Sequence, residues 1–417
     1  MSKKFKSLIK FLFLIPVFCN LFLTTANAKE NPPKINAESA ILINGDTGQV
    51  LYSKNENTKQ FPASTTKILT ALVVLENTKL TDIVTIGDKP PFADGSSIGL
   101  KKGEKFTVET LLTGLLLESG NDCAEALAEH VGGSIKGFAK MMNEKAKELG
   151  CENSNFENPS GLPDKNHKTT AYDLALIMKE ALKNPDYIRI SRIISLELPA
   201  SNLDGTKRWV NNHNHLINKN SKYYYSDALA GKSGYTEVAK HTFVISGKKD
   251  DKLLIGVFLK AEDKNKNFKD MKDLLEYGFN NFEEVKLYSK NQEVDNINIA
   301  NNTNLPLIID KDVFFTANKA NINDIKPTLE YTLPAKIKRL SFKKGDVVTK
   351  AKVIVDGQVI SEVNLLSGID RDYNFKTEIS QIITDNSFKI TCIVIGFTLL
   401  IILVIIRIII VKNRKRK

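Results

Sequence analysis

The stretch "ITCIVIGFTLLIILVIIRIIIV", residues 390–411, constrains this chain more than any other feature, because its 22 residues carry one charge, Arg407. At about 1.5 Å per helical residue it reaches across a hydrocarbon core of about 30 Å. A buried core helix is the alternative reading. The flank Lys412-Asn-Arg-Lys-Arg-Lys417 favours the membrane, since basic flanks stay cytoplasmic and Arg407 can snorkel toward them. Residues 390–411 are therefore expected as a transmembrane helix and 412–417 as a basic cytoplasmic tail. Residues 1–28 read as a signal peptide: Lys3, Lys4, Lys6 and Lys10, then the apolar "FLFLIPVF", then small residues at Ala26 to Ala28 for cleavage. The expectation is an exported protein on the extracytoplasmic face of the membrane, anchored by its tail.

That placement changes the meaning of a net charge of +11. The signal contributes four lysines and no acid, and residues 389–417 contribute seven cations and no acid, leaving residues 29–388 neutral. The basic balance belongs to targeting, and nothing in it points to nucleic acid. Of four cysteines, Cys19 lies in the signal and Cys392 in the span. Only Cys123 and Cys151 remain outside, where a disulfide between them stays possible but forms no framework. His213-x-His215 has no further ligands nearby and reads as loop chemistry, and no metal site is expected.

The exported part divides by composition. A hairpin, "AILIN" and "QVLYS" about Gly45-Asp-Thr-Gly48, opens the first domain. A helix from "STTKILTALVVLE" follows, apolar around most of its circumference and so expected inside the domain. "FTVETLLTGLLLESGNDCAEALAEHV" reads as two helices broken at Ser119-Gly-Asn121, with Asn121 or Asp122 suited to cap the second. Helical patterns continue in "GFAKMMNEKAKELG" and "TAYDLALIMKEALKN". After Gly231 come strands "HTFVISG" and "KLLIGVFLK", then a helix in "FKDMKDLLEYGFNNF". Strands at both ends with helices between predict an α+β domain built on one antiparallel sheet, over 29–284. Residues 285–376 read as a small all-β domain and 377–389 as a linker.

Four Ser-x-x-Lys matches begin at Ser7, Ser64, Ser246 and Ser341. A serine hydroxyl needs a base to act as a nucleophile, and a lysine can serve only when burial or a neighbouring cation depresses its pKa. Ser64 and Lys67 share a helix face at i and i+3, and a first helical turn offers free N–H groups to a developing oxyanion. Only this match is followed in order by Ser-x-Asn, at Ser119-Gly-Asn121, and Lys-Ser-Gly, at Lys232-Ser-Gly234. Ser7 lies in the signal, Ser246 follows the third motif, and Ser341 lies in the small domain.

With these motifs and the wording of "LLLESGNDCAEALAEHVGGS", "NPSGLPDKNHKTTAYDLA" and "ALAGKSGYTEVAKHTFV", the chain resembles the D-alanyl-D-alanine carboxypeptidases, the low-molecular-mass penicillin-binding proteins, over about residues 35–375. The resemblance implies a β-lactamase/transpeptidase-like catalytic domain and a serine hydrolase that needs no cofactor. Its implied partners are a peptidoglycan stem peptide ending in D-Ala-D-Ala, and β-lactams as acylating inhibitors. It implies Ser64 as nucleophile, Lys67 as base and Ser119 as proton relay. Asn121 would contact the substrate amide and hold Lys67, and Lys232 would keep the field positive. Ser233 would bond the terminal carboxylate, and the N–H groups of Ser64 and Tyr235, beside Gly234, would form the oxyanion hole. The Tyr235 side chain reads as packing. Cys123 reads as a small buried residue.

Two departures from the family pattern stand out. Ser233 replaces a commoner Thr and keeps the hydroxyl. Asn267 stands where many relatives carry an Arg that helps bind the carboxylate; it lacks the charge and the fork, and Lys266 or Lys269 are the candidates to substitute. A β-lactamase would need an added Glu over a water; Glu180, the nearest acid by position, sits on an apparent amphipathic helix. Endopeptidase or transpeptidase activity would differ only in leaving group or acceptor. A non-catalytic peptidoglycan-binding protein could lack Ser64 or Lys67, and both are present.

Overall fold

The computed structural model describes residues 31–300, 303–376 and 387–414. The expected signal peptide, linker residues 377–386 and tail residues 415–417 lie outside the described residues. The chain forms two units, one running to Glu283 and taking in Thr316–Ile322, the other holding Glu284–Phe315 and the chain from Asn323.

The first unit is built on a five-stranded antiparallel sheet of β1 (Ser39–Asn44), β2 (Val50–Lys54), β3 (Ala228–Thr236), β4 (Lys240–Lys249) and β5 (Lys252–Ala261), in the order β2-β1-β5-β4-β3. Alternation along β1 decides which side each residue serves. Ile41 and Ile43 pack with Ile68, Leu69 and Leu72, whereas Ala40 and Leu42 pack with Phe268, Met271 and Leu275. The sheet is thus covered on both faces. One cover is α1 (Lys67–Asn77) with α2 (Val108–Thr113), α3 (Asn121–Gly132), α4 (Ile135–Glu148), α5 (Ala171–Ala181) and α6 (Pro185–Ser191); the other is α7 (Lys264–Asn281).

In α1 every residue from Lys67 to Val74 is buried. Each fully buried Ile, Leu or Val contributes roughly 1.5–3 kcal/mol of transfer free energy. The apolar residues after Lys67 therefore offset the cost of holding a lysine inside the fold. The expected hairpins and helices appear at their predicted places. Capping differs: Gly120 is the N-cap of α3, with no side-chain cap, because the Asn121 and Asp122 side chains are committed elsewhere.

The second unit contains a five-stranded sheet of β6 (Glu293–Ala300), β7 (Thr303–Ile309), β8 (Thr328–Tyr331), β9 (Val347–Val355) and β10 (Gln358–Ser367), in the order β6-β7-β10-β9-β8. Asp356 and Gly357, at φ +51° and +77°, make the tight β9–β10 turn, whose positive φ at both central residues suits strand twist. Inward residues Leu305, Leu307, Val353, Val363 and Leu365 fill its core. The helix α8 runs over Ser387–Arg414, so the last linker residues are helical. Its span Lys389–Lys412 is long and apolar enough to cross a membrane and is not buried in the protein.

Candidate active site

The structure brings the three motifs to one place. The turn Ala63–Thr66 is 3₁₀ and leads into α1, so Ser64 and Lys67 lie on one face. Lys67 Nζ donates to Ser64 Oγ at 3.1 Å, Asn121 Oδ1 at 2.6 Å and the Ser160 carbonyl at 2.7 Å. Three acceptors match the three hydrogens of an ammonium. Once neutral, the amine keeps two hydrogens for Asn121 and Ser160 and turns its lone pair toward the Ser64 hydroxyl. Burial first, and the positive charge of Lys232 second, hold Lys67 well below the ordinary lysine range, against smaller opposing effects of Cys123 and Asp122.

The Ser160 carbonyl was not legible as a ligand in the sequence, because no side chain reports it. It is delivered by the loop 158–162, where Asn158 Oδ1 accepts from the N–H groups of Ser160, Gly161 and Leu162. Thr70 Oγ1 ties the same loop to α1 through the Pro159 carbonyl at 2.6 Å. A Cβ on Gly161 would stand 1.8 Å from the Ala63 carbonyl oxygen, at φ +87°. Only glycine fits there.

The second motif sits on a distorted turn. After α2 the helix widens into a π-turn over Gly114–Glu118 and ends with Ser119 at φ 64°, ψ 29°. Left-handed backbone at a non-glycine costs about 1–3 kcal/mol and concentrates at functional sites, as do π-turns. Ser119 is buried, and its Oγ has no hydrogen-bond partner among the described residues. Asn121 joins Lys67 to the 94–100 loop: its Nδ2 donates to the Asp94 carbonyl, and its N–H to the Ser96 carbonyl at 2.6 Å. Asp122, the other expected cap, accepts from Ser97 Oγ at 2.6 Å and from the N–H groups of Ile98 and Leu100.

The third motif lies on β3, the edge of the sheet, facing Ser64. A Cβ on Gly234 would come within 2.6 Å of both the Ser64 nitrogen and Thr242 Oγ1. This close approach sets the strand backbone against the Ser64 N–H. Lys232 is buried and donates to the Ser233 carbonyl at 2.9 Å. Burial lowers its pKa to about 7, with Glu118 opposing.

Ser64, Ser119, Lys232, Ser233, Gly234 and Tyr235 line one cavity of about 390 Å³, with Ser96, His213, His241, Thr242, Lys264, Asn267 and Phe268. Lys67 and Asn121 stand behind Ser64. Tyr235, expected to pack, is 55% exposed with its ring 4.6 Å from His241, because β3 is an edge strand. Of the cations near Asn267, the cavity holds Lys264; Lys266 is exposed and lines no part of it, and Lys269 pairs with Asp273 at 2.6 Å on the outer side of α7. Asn267 is buried, and its Oδ1 has no partner among the described residues. His213 lines the cavity 3.4 Å from Glu118, whereas His215 packs edge-on against Phe268. Cys123 and Cys151 are both buried and free, so the pairing left open by the sequence is not made. Burial raises the Cys123 thiol well above its ordinary range.

Comparison with known proteins gives a consistent result. A family described as D-alanyl-D-alanine carboxypeptidase matches residues 25–263, and one described as penicillin-binding protein 5, C-terminal domain, matches 282–372. D-alanyl-D-alanine carboxypeptidase DacF of Bacillus subtilis (strain 168) is 33% identical over 364 residues, 84% of this chain and 90% of the relative. Penicillin binding protein 5 from Haemophilus influenzae superposes with a TM-score of 0.67 at 28% identity, over 82% of this chain and 99% of that one. The Streptomyces K15 DD-transpeptidase superposes at 0.56 with 31% identity, over 60% and 99%.

Proposed function

We propose, for a chain that belongs to the D-alanyl-D-alanine carboxypeptidase family, that Ser64 is acylated by the penultimate D-Ala of a peptidoglycan stem peptide. The protein is a serine-type hydrolase with D-Ala-D-Ala carboxypeptidase function. The single observation that carries the residue assignment is the Lys67 amine, buried and held between Ser64, Asn121 and the Ser160 carbonyl.

In the first step Ser64 Oγ attacks the carbonyl carbon of the penultimate D-Ala while its proton passes to the neutral Lys67 amine. The oxyanion is stabilised by the N–H groups of Ser64 and Tyr235, whose approach Gly234 permits. Losing one such donor typically costs about 10²–10³ in kcat. The C–N bond then breaks and the D-Ala amine leaves with a proton relayed through Ser119, whose hydroxyl has no competing partner. A water attacks the ester with Lys67 again as base, giving the shortened peptide and free Ser64. Lys232 and Ser233 receive the terminal carboxylate, and Asn121, engaged by Lys67 and the Asp94 carbonyl behind Ser64, holds the Lys67 amine in place.

β-Lactams, which present the same acyl carbon in a ring, acylate Ser64 and stay attached. No Asp or Glu lines the cavity among the described residues, and Glu180 is engaged by Lys183 at 2.7 Å. This favours a long-lived adduct over rapid turnover of the β-lactamase kind. The catalytic domain, 29–284, and the small β domain, 285–376, work outside the cell, tethered by α8 with its basic end in the cytoplasm. The test incubates the full chain in detergent with labelled penicillin and, separately, a peptide ending in D-Ala-D-Ala. Stable labelling and D-Ala release, both lost in Ser64→Ala, are expected. Rapid penicillin turnover without D-Ala release would replace this reading with a β-lactamase.

A further inference from the structure

We infer that the edge of the second unit formed by residues 336–344 and 370–376 docks on anionic phospholipid headgroups of the bilayer that α8 enters. This inference rests on α8 being the membrane anchor.

The sequence "KIKRLSFKK" places Lys336, Lys338, Arg339, Lys343 and Lys344 within nine residues that contain no acid. Ile337 and Phe342 are buried in the β core, and the short 3₁₀ turn Ile337–Arg339 lies between them. With those two anchors turned inward, the cations between and beside them, Lys336, Lys338, Arg339, Lys343 and Lys344, are all exposed. Lys336, Lys338, Lys343 and Lys344 have no carboxylate within ion-pair distance among the described residues.

The second strip is bonded to the first. Phe342 and Arg371 exchange backbone hydrogen bonds of 2.8 and 2.7 Å, Arg371 Nη2 donates to the Lys338 carbonyl at 2.8 Å, and the Tyr373 N–H donates to Ser341 Oγ at 2.9 Å. This adds Arg371 and Lys376, with exposed Phe375 (59%) two residues beyond the Tyr373–Ser341 bond and exposed Leu340 next to Ser341. The acids there are Asp346, Asp370 and Asp372. Asp346 and Asp370 are drawn onto the backbone N–H groups of Lys343 and Lys344. Seven cations against three acids, with two apolar side chains among them, make a surface suited to a headgroup layer: ammonium and guanidinium groups for phosphate, Phe375 and Leu340 for the acyl boundary.

The chain itself supplies the proximity. Only ten residues, 377–386, separate Lys376 from the start of α8, so the strip cannot stand more than about 35 Å from the membrane helix. Such a tether makes docking intramolecular, which lets contacts too weak for a free protein become occupied. Each Lys or Arg near an anionic surface contributes about a fivefold factor in occupancy, screened beyond about 8 Å at physiological salt. The small domain would then lie on the membrane rather than stand off it as a stalk.

The test reconstitutes the full chain in vesicles of phosphatidylcholine alone and of phosphatidylcholine with phosphatidylglycerol, and follows amide hydrogen exchange over 336–344 and 370–376 in outward-facing molecules. Exchange at least about tenfold slower in the anionic vesicles is expected, reverting toward the neutral-vesicle rate at high salt. In the triple variant Lys338→Gln, Lys343→Gln, Lys344→Gln the slowing should disappear while D-Ala release is unchanged; Phe375→Ala should weaken it partly. Equal exchange in both vesicles would overturn the proposal. So would protection in neutral vesicles by added soluble polyphosphate to the same degree, which would assign the strip to a phosphate polymer. Flotation separates the premise: a chain that fails to float with neutral vesicles refutes the anchor, whereas one that floats with both compositions yet exchanges equally over the strip in both refutes the docking surface.

Discussion

His167 offers a measurable link between pH and the integrity of the catalytic turn. It is buried, with Thr66 Oγ1 at 3.0 Å from Nε2 and the Glu157 N–H donating to Nδ1 at 3.2 Å. The accepting Nδ1 fixes the neutral tautomer, with Nε2–H donating to the threonine between Ser64 and Lys67. Burial chiefly lowers its pKa from 6.5 to about 4. The unfolded chain therefore takes up a proton that the folded one refuses. The neutral histidine's stabilisation is complete above pH 6.5 and is lost as pH falls toward 4. A shift of about 2.5 units at 1.36 kcal/mol per unit amounts to about 3 kcal/mol. Denaturant unfolding, followed by circular dichroism from pH 7.5 to 4 in wild type and His167→Gln, reads it directly. Gln can donate and accept but does not titrate in this range. The two stability curves should converge by about 3 kcal/mol on acidification. Curves that stay parallel would refute the assignment of a neutral, doubly bonded His167.

Other outcomes follow from the same geometry. Lys232→Gln removes the charge that helps hold Lys67 low, so the acidic limb of the kcat/KM profile should move to higher pH and penicillin acylation at neutral pH should slow; stopped-flow acylation at several pH values checks it. Asn267→Arg places a guanidinium beside the cavity now lined by an unpartnered amide, and should raise kcat/KM for a D-Ala-D-Ala peptide; an unchanged value would show that Lys264, Lys232 and Ser233 suffice. Gly161→Ala must displace the Ala63 carbonyl, so it should destabilise the fold by about 3 kcal/mol or more and reduce labelling of Ser64, measurable by thermal unfolding and penicillin binding.

Much of this arrangement could be read from side-chain identity and order. Ser64, Lys67, Ser119, Asn121 and Lys232 to Gly234 stand out in the sequence because their chemistry is carried by particular side chains in a fixed order; Ser64, Ser119 and Lys232 to Gly234 line the cavity, with Lys67 and Asn121 bonded behind Ser64. The sheet was readable because "HTFVISG" and "KLLIGVFLK" alternate about one turn. What escaped was carried by backbone and tertiary context. The Ser160 carbonyl has no residue signature. Asn121 and Asp122 look like helix caps by local preference, yet their side chains serve Lys67 and the 94–100 loop. The cation near Asn267 is Lys264, because the start of α7 faces the cavity, whereas Lys266 and Lys269 point away from it. The mutual approach of Gly234 and Ser64, some 170 residues apart in sequence, needs the folded sheet edge to be seen.

The central claim is that one serine, activated by one buried lysine, carries the acyl group. Peptide mapping by mass spectrometry after brief exposure of the full chain to penicillin tests it most directly. A single penicilloyl group on the peptide containing Ser64, formed more slowly as pH falls and absent in Lys67→Ala, is predicted. An adduct on Ser119 or any other residue, or unchanged acylation of Ser64 without the Lys67 amine, would contradict the account.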